Sequence, residues 1–157
     1  MSQQALLESL GPILQRLATI DTSNAEAAMA TLNQEFPIGS ERIQLLRKLF
    51  AQGKAEGWLC DREAGSSRFS RVAKSAPEVQ GFSIDAVELT GAGVWHKHTE
   101  GEIDLCFASK GDAPTFDGHS EGWVVFPPQS EHVPTVDGGT MDILYFLPNG
   151  AVEWKRG

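Results

Sequence analysis

The sequence has few of the features that mark exported or membrane proteins. It contains two cysteines, Cys60 and Cys106, which are too few for a disulfide framework and are expected to be free thiols in a reducing compartment. Its first ten residues lack the basic and apolar regions of a signal peptide, and its apolar runs are too short to span a bilayer. We therefore expect a cytoplasmic protein that is not inserted into a membrane.

Positive charge is also scarce, because 13 Lys and Arg residues face 21 Asp and Glu residues and give a formal net charge of -8. Nucleic acids and anionic membranes are bound mainly through Lys and Arg side chains that neutralise phosphates, so neither is an expected partner. The sequence has no glycine pattern of a P-loop or of a dinucleotide-binding turn, so no nucleotide cofactor is indicated. A small molecule is the expected partner.

What the sequence does contain changes in character near residue 55. Residues 3–52 have helical periodicity and predict about three helices, the first with apolar residues at steps of three and four: Leu6, Leu10, Ile13, Leu14 and Leu17. Pro12, which follows Gly11, is expected to break or kink this helix. Ser23 and Glu26 have the spacing of a capping box for the second helix, and the third is expected to end before Gly53.

The remainder of the chain predicts about eight short strands joined by turns. These are residues 57–61, 67–74, 81–89, 93–98, 102–108, 122–126, 141–147 and 150–154. No linker or repeat separates the two parts, so residues 1–157 are expected to form one domain, with 1–53 packed on a barrel formed by 57–157. The predicted class is α+β and mostly β, with about three helices before an antiparallel β-barrel.

Three of the four histidines and one glutamate have the spacing of a metal site. His96 and His98 lie two residues apart on a predicted strand, so both imidazoles face the same side. Glu102 follows at an even offset, and His132 follows a strand and turn bounded by glycine and proline. Three imidazoles and one carboxylate form a mixed nitrogen and oxygen site, for which iron or manganese is expected first and zinc or nickel as alternatives.

Simpler interpretations of these residues remain open from the spacing alone. The histidines at 96 and 98 would then be exposed strand residues, and the glutamate a solvated carboxylate. Glu100 is an alternative ligand to Glu102, although the alternation of a strand favours Glu102. His119, in the turn Asp-Gly-His-Ser, is expected to be exposed to solvent.

Residues beside the predicted ligands are candidates for the chemistry of the site. Asp104 shares a strand face with Glu102, and it is expected either to orient a histidine or to act as a general acid and base. Tyr145, the only tyrosine, is expected to donate a hydrogen bond in the site or to be structural. Both are included with Glu102 among the candidate catalytic residues.

Substrate binding is assigned to an early basic strand and to nearby rings. Arg68 and Arg71 are candidates because an arginine fork binds a carboxylate with two parallel hydrogen bonds. Trp95 and Trp123 are candidates because their rings, in or beside predicted barrel strands, would line a flat aromatic pocket. The simpler interpretation is that the arginines are solvated and that the rings belong to the core.

The motifs resemble those of the cupin superfamily. The run from His96 to Glu102 has the His-x-His-x-x-x-Glu spacing of the first cupin motif, and the stretch from Gly122 to His132 resembles the second. A glycine of the second motif is replaced within the step Pro-Gln-Ser at residues 128–130. The resemblance implies a cupin-type barrel around a metal site, and it makes a homodimer the candidate assembly.

Residues 68–154 also resemble the 4-hydroxylaminobenzoate lyases. The phrases that carry this resemblance are GFSIDAVEL, GEIDLCF, FDG, GWVVFPPQSEHVPTV and DILYFLPNGAVEW. It implies a metal-dependent carbon-nitrogen lyase that converts 4-hydroxylaminobenzoate, a small aromatic carboxylate, and water to 3,4-dihydroxybenzoate and ammonia. Because this reaction has no net redox change, neither oxygen nor nicotinamide would be needed.

Other functions are compatible with the same ligands. A cupin dioxygenase with Fe(II) would act on an aromatic acid and consume oxygen. A non-catalytic cupin would bind or sense a small ligand without releasing a product. A sugar isomerase is disfavoured by the apolar rings near the motifs. The sequence leaves open which metal is bound and which residue is the general acid and base.

Overall fold

Helices form the first third of the chain and antiparallel strands form the rest, in a computed structural model that describes residues 2–154. The helices are α1 (Gln3–Leu17), α2 (Ala25–Glu35) and α3 (Glu41–Glu56). The strands are β1 (Arg62–Ala64), β2 (Ser67–Ala73), β3 (Phe82–Ala92), β4 (His96–His98), β5 (Glu102–Phe116), β6 (Gly122–Phe126), β7 (Ser130–His132), β8 (Thr135–Pro148) and β9 (Glu153–Trp154). The expected class, mostly β with three N-terminal helices, is confirmed.

The helices differ from the expectation at their ends and at one proline. Pro12 lies inside a continuous α1, because buried leucines on both sides of it hold the helix against the rest of the protein. Ser23 does not cap α2, since its hydroxyl group donates to Asp21 Oδ1 at 2.6 Å. The third helix continues through Gly53 and ends at Gly57, whose φ of 85° is the left-handed conformation of a helix C-terminus. Among the described residues, no helix is long and apolar enough to cross a membrane.

The strands form two antiparallel sheets. The large sheet has the order β1-β2-β3-β8-β5-β6, and the small sheet has the order β7-β4-β9. The two sheets do not share a hydrogen-bonded pair of strands within the described range, so the expected barrel is not closed through its backbone. The small sheet instead lies over one face of the large sheet, with the rings of His98 and Phe126 stacked at 5.1 Å.

Several strand boundaries differ from the expected ones. Residues 57–61 form turns and bends rather than a strand, because the chain reverses there after the third helix. The short strand β7 was not predicted, since its Ser-Glu-His sequence has no apolar residue. Strands β5 and β8 are longer than predicted because polar and glycine residues, including Gly111 and Gly139, pair across them.

The large sheet has a helix-facing side and an inner side. Its helix-facing residues join the buried leucines of the three helices in one apolar cluster and include Ile84, Ala86, Ile103, Leu105, Leu144 and Phe146. Its inner residues form a second cluster that includes Leu89, Cys106, Phe116, Val124, Met141 and Ile143. The alternation of each strand therefore divides the sheet between a structural core and a space that faces the small sheet.

Polar contacts fix the helices on the sheet. Lys54 Nζ lies 2.8 Å from Glu88 Oε2 and 2.7 Å from Asp142 Oδ1 on the neighbouring strands β3 and β8. Asn33 of α2 binds the edge strand β6 at both backbone groups of Trp123, accepting from its N–H at 2.9 Å and donating to its carbonyl at 3.2 Å. The backbone of this edge is thus occupied by a helix side chain.

Gly101, in the turn before β5, packs against the loop between α1 and α2. Its φ is 93°, and a Cβ atom there would collide with the side chain of Thr22 and approach the carbonyl oxygen of Phe126 at 3.2 Å. Gly57 has a similar φ of 85°, but a Cβ atom there would meet no atom within 4 Å. A substitution at Gly57 would therefore cause backbone strain alone, whereas a substitution at Gly101 would cause backbone strain and a steric clash.

We predict that Gly101→Ala lowers the free energy of unfolding by about 2–4 kcal/mol, because the strain of positive φ adds to overpacking. The matched variant Gly57→Ala should lose about 1 kcal/mol from the backbone term alone. Urea unfolding of both variants measures the difference. Equal losses would show that the close approach of Thr22 has no energetic consequence.

Candidate metal centre

Pairing between β4 and β7 brings the histidines together. His96 lies directly opposite His132, and His98 lies opposite Ser130. The three imidazole rings have centroids 4.7–4.8 Å apart, on the side of the small sheet that faces the large one. The turn at Gly101 then starts β5, whose first residue is Glu102. Two short strands and one turn thus hold all four predicted ligands.

The carboxylate of Glu102 lies at the centre of the three histidines. Its oxygens are 3.2 Å from His96 Nε2, 3.3 Å from His98 Nε2 and 3.9 Å from His132 Nε2. One ligand atom from each of the four residues lies within 4.8 Å of all the others. His98 and Glu102 are fully buried, His96 is 2% exposed, and the His132 side chain is 12% exposed. This cluster could hold a metal ion.

The buried ligand atoms lack partners in the protein. Within residues 2–154, His98 Nε2, His132 Nε2 and Glu102 Oε2 are buried and make no hydrogen bond. Each such group costs about 1–3 kcal/mol when it is removed from water without a partner. A divalent cation among these atoms would satisfy all three, so the donor set fits a metal ion.

The outer nitrogen of each imidazole is held by a separate group. His96 Nδ1 lies 3.1 Å from the carbonyl oxygen of Val94, which can only accept a hydrogen bond. His98 Nδ1 lies 3.0 Å from the Oγ of Ser130, whose own hydroxyl donates to a backbone carbonyl. Because both acceptors can take a proton from Nδ1, each ring can present the lone pair of Nε2 to a metal ion beside Glu102.

Asp117 holds the third histidine. Its Oδ2 lies 2.5 Å from His132 Nδ1, and its Oδ1 accepts the backbone N–H of Thr135 at 2.8 Å. The carboxylate is therefore fixed by the backbone and fixes the ring in turn. The turn before β7 has no glycine at the position where the resembled motif has one. Gln129 adopts the left-handed conformation there, with a φ of 68°, and donates its N–H to the carbonyl of His98 at 2.7 Å.

The pKa values of Glu102 and Asp104 are shifted in opposite directions, although the two residues share a strand face. Burial by itself would raise the pKa of Glu102, but the imidazoles of His96 and His98 outweigh it and hold this pKa below its ordinary value. Burial raises the pKa of Asp104 well above its usual range, and the negative charge of Glu102 raises it further. The charged form is thus favoured at Glu102, and the neutral form is favoured at Asp104, whose two oxygens are buried without partners.

A cavity of about 300 Å³ opens beside His96 between the two sheets. Its wall is mainly apolar, with a few polar groups, and is lined by Ala64, Ser67, Phe69, Arg71, Asp85, Val87, Leu89, Gly93, Val94, His96, Pro134, Tyr145 and Trp154. A volume near 300 Å³ is at the small end of the usual range for ligand pockets. The cavity and the metal centre share the imidazole of His96.

Polar side chains cross the large sheet in one row. Arg71 of β2 is paired with Asp85 of β3, Asp85 with Tyr145 of β8, and Tyr145 with Asp104 of β5. Directly paired residues of antiparallel strands face the same side, so all four side chains are on the inner face. The row runs from Arg71 in the cavity wall to Asp104, which lies two residues after Glu102 on β5.

The other predicted site residues are placed elsewhere. Arg68 is three residues before Arg71 on β2, so it is on the opposite face of the strand, and it does not line the cavity. Trp123 packs with Phe36 and Phe146 on the helix-facing side, where its indole N–H donates to the carbonyl of Phe36 at 3.1 Å. Trp95 is half-buried and outside the cavity lining.

The alternative ligand, Glu100, and the fourth histidine, His119, both lie outside the cluster. Glu100 is exposed and accepts a hydrogen bond from Asn149 Nδ2 at 2.7 Å. His119 is exposed in its turn. Cys60 and Cys106 are buried free thiols, and burial raises the pKa of Cys60 to about 12.

Several residues of the site were missed in the sequence, and they include Phe69, Asp85, Asp117, Ser130 and Trp154. Phe69 had a usable signal, because it shares the strand parity of Arg71. Asp117 and Trp154 lie in phrases that carried the family resemblance, but nothing in those phrases indicates a contact with a histidine. Asp85 becomes recognisable only when the register of β2 with β3 is known.

Comparison with known proteins gives a family and its relatives. The family model described as 4-hydroxylaminobenzoate lyase matches residues 12–154. A 4-hydroxylaminobenzoate lyase of Nocardioides sp. (strain LMS-CY) is 28% identical over 160 residues, which cover 96% of this chain and 94% of the relative. One of Pseudomonas putida is 27% identical over 165 residues, with 94% of each chain covered.

Solved structures, among them one described as a cupin protein, are similar to part of the chain. An RmlC-like cupin protein from Ralstonia eutropha JMP134 has a TM-score of 0.45 and 14% identity, covering 59% of this chain and 62% of that one. Salicylate 1,2-dioxygenase from Pseudoaminobacter salicylatoxidans has a TM-score of 0.43 and 14% identity, covering 77% of this chain and 38% of that one.

The geometry at Asp117 predicts how a substitution there affects metal binding. In Asp117→Asn the amide oxygen can still accept from Thr135, which leaves the amide N–H₂ facing His132 Nδ1. The ring must then carry its proton on Nε2, where it blocks ligation. We expect the affinity for added Mn²⁺ or Zn²⁺ to fall by about 10–100-fold in calorimetric titration.

The matched control is Asp112→Asn, because Asp112 is an exposed aspartate of β5. This variant removes the same charge and should bind metal like the wild type. An Asp117→Asn variant with unchanged affinity would contradict the role of Asp117 in holding His132.

Proposed function

Because the chain belongs to the 4-hydroxylaminobenzoate lyase family, we propose that it converts 4-hydroxylaminobenzoate and water to 3,4-dihydroxybenzoate and ammonia. The observation that carries this proposal is the family match over residues 12–154, a range that includes every residue of the metal centre and of the cavity. The buried ligand cluster beside an apolar cavity with one arginine supports it independently.

The proposed reaction balances without an external oxidant or reductant. The N–O bond of the substrate breaks, the ring carbon next to the nitrogen-bearing carbon gains a hydroxyl group, and water replaces nitrogen, which leaves as ammonia. The oxidation of the ring is matched by the reduction of the nitrogen. The site therefore has to bind an aromatic acid, keep it in position and move protons.

We propose that His96, His98, Glu102 and His132 hold a divalent metal ion, iron or manganese in the first place and zinc or nickel as alternatives. Such an ion would supply Lewis acidity toward the hydroxylamino group or a water molecule. The protein contributes the orientation of the ligands, since each imidazole is held through its outer nitrogen. Glu102 belongs to the catalytic group because it lies at the centre of the cluster.

We propose that Arg71 binds the carboxylate of the substrate. Its side chain lines the cavity, and its fork of N–H donors matches a carboxylate geometrically. The rings of Phe69 and Trp154 also line the cavity, and Trp154 is 57% exposed. An aromatic substrate would cover part of this exposed surface.

Asp104 and Tyr145 are the proposed proton-handling residues. They lie opposite each other on β5 and β8, and the two oxygens of Asp104 are fully buried without a hydrogen-bond partner. A buried carboxyl group of this kind can take a proton from, or give one to, a bound substrate. Tyr145 lines the cavity, so its hydroxyl group is suited to donate a hydrogen bond to the substrate.

A cytoplasmic location and a homodimer stay predictions from the sequence. They fit the proposed reaction on a small diffusible acid, but the reaction does not require either of them.

We predict that the protein, reconstituted with a divalent metal, produces 3,4-dihydroxybenzoate and ammonia in equal amounts from 4-hydroxylaminobenzoate under anaerobic conditions. Chromatography and an ammonia assay measure the two products. His98→Ala should abolish turnover, because it removes a buried ligand. Lys97→Ala is the matched control, since Lys97 alternates to the other side of β4 and should leave turnover unchanged.

The outcomes separate the candidate functions. Product that appears only when oxygen is admitted would indicate a dioxygenase instead. Absence of product from every reconstituted metal form would contradict the lyase proposal.

A further inference from the structure

The side chain of Arg71 makes one hydrogen bond among the described residues, and this bond uses only part of the guanidinium group. Its Nε lies 2.5 Å from Asp85 Oδ1. A guanidinium has five N–H donors, of which four are on the two terminal nitrogens. The contact with Asp85 therefore leaves the whole terminal fork of Arg71 without a protein partner in the described chain.

The pairing of β3 with its two neighbouring strands fixes the position of Asp85. Asp85 is directly paired with Arg71 on one side and with Tyr145 on the other, so its carboxylate is held between two cavity residues. Its side chain is 24% exposed, and burial raises the pKa of Asp85 although Arg71 opposes this. A carboxylate in this mainly apolar wall has an unfavourable solvation energy that needs an explanation.

Stability is a poor explanation for this ion pair. The Arg71 side chain is 53% exposed, and ion pairs at such positions contribute at most about 1 kcal/mol to folding. The ion pair has a larger effect on the conformation of Arg71 than on folding, because a free arginine side chain samples many rotamers and an anchored one does not. The consequence of Asp85 is thus expected in binding rather than in folding.

We infer that Asp85 is a positioning residue, which holds Arg71 through Nε so that its terminal fork can take the carboxylate end of an aromatic acid in the cavity. This inference rests on the proposed function, because it assumes that the ligand is an aromatic acid. Asp85 does not itself touch the reacting atoms. By holding the Arg71 side chain in place, Asp85 reduces the loss of side-chain entropy when the ligand binds.

The test is calorimetric binding of two non-reacting probes, 4-hydroxybenzoate and the uncharged 4-hydroxybenzamide, to the metal-loaded protein. Asp85→Ala should weaken 4-hydroxybenzoate about tenfold, because the arginine fork is no longer held. Asp85→Asn keeps an oxygen that accepts from Nε and should stay within about threefold of the wild type. The benzamide should bind all variants alike, because it does not carry the charge that the fork recognises.

Arg71→Ala separates this inference from the proposed function. It should weaken 4-hydroxybenzoate at least as much as Asp85→Ala does. If Arg71→Ala weakens the acid and Asp85→Ala does not, the positioning role is overturned while the proposed function stands. If neither variant changes the affinity, or if the wild type binds neither probe, both the positioning role and the proposed grip on the carboxylate are overturned.

Two further results bear on the mechanism of positioning. Equal loss in Asp85→Asn and Asp85→Ala would overturn it, since the hydrogen bond alone would then not hold the fork. Equal loss of acid and amide binding would also overturn it, because a general distortion of the cavity would explain the effect. Urea unfolding should show less than about 1 kcal/mol of change in Asp85→Ala, as expected for a half-exposed pair.

Discussion

The structure depends on one electrostatic constraint, the convergence of three imidazoles on a buried carboxylate. Nitrogen and oxygen atoms that are buried without hydrogen bonds are costly, and three of them lie together at Glu102. The surrounding elements keep these atoms in place: β4 pairs with β7, Gly101 allows the turn into β5, and Asp117 holds His132. A cation bound among these atoms would account for why the protein tolerates such a centre.

The two faces of the large sheet have different roles. One packs against the helices, and the other lines the candidate site. The helix-facing side joins the three helices in one apolar cluster, and Lys54 and Asn33 fix those helices to the strands. The inner side carries the row from Arg71 to Asp104 and faces the small sheet. Because strand alternation separates the two faces, residues of the cavity can be polar without disturbing the core.

The cluster of candidate ligands could be predicted from the sequence, because His96, His98 and Glu102 are close in the chain and His132 follows a recognisable strand and turn. The even offset from His96 to Glu102 brings one carboxylate to the cluster and leaves Glu100 exposed. The cavity could not be predicted in this way, since Asp85 and Arg71 meet only through the register of β2 and β3. Trp123 was chosen for its ring, but its parity on β6 places it in the core with Phe146.

We propose that His96, His98, Glu102 and His132 hold one divalent metal ion. Anomalous diffraction from crystals of the metal-loaded protein, at the absorption edge of that metal, locates the ion. We expect one peak per chain among the three Nε2 atoms and the Glu102 carboxylate, at about 2.0–2.2 Å from each ligand. A well-folded, metal-loaded protein with its peak elsewhere, or with no peak, would contradict it.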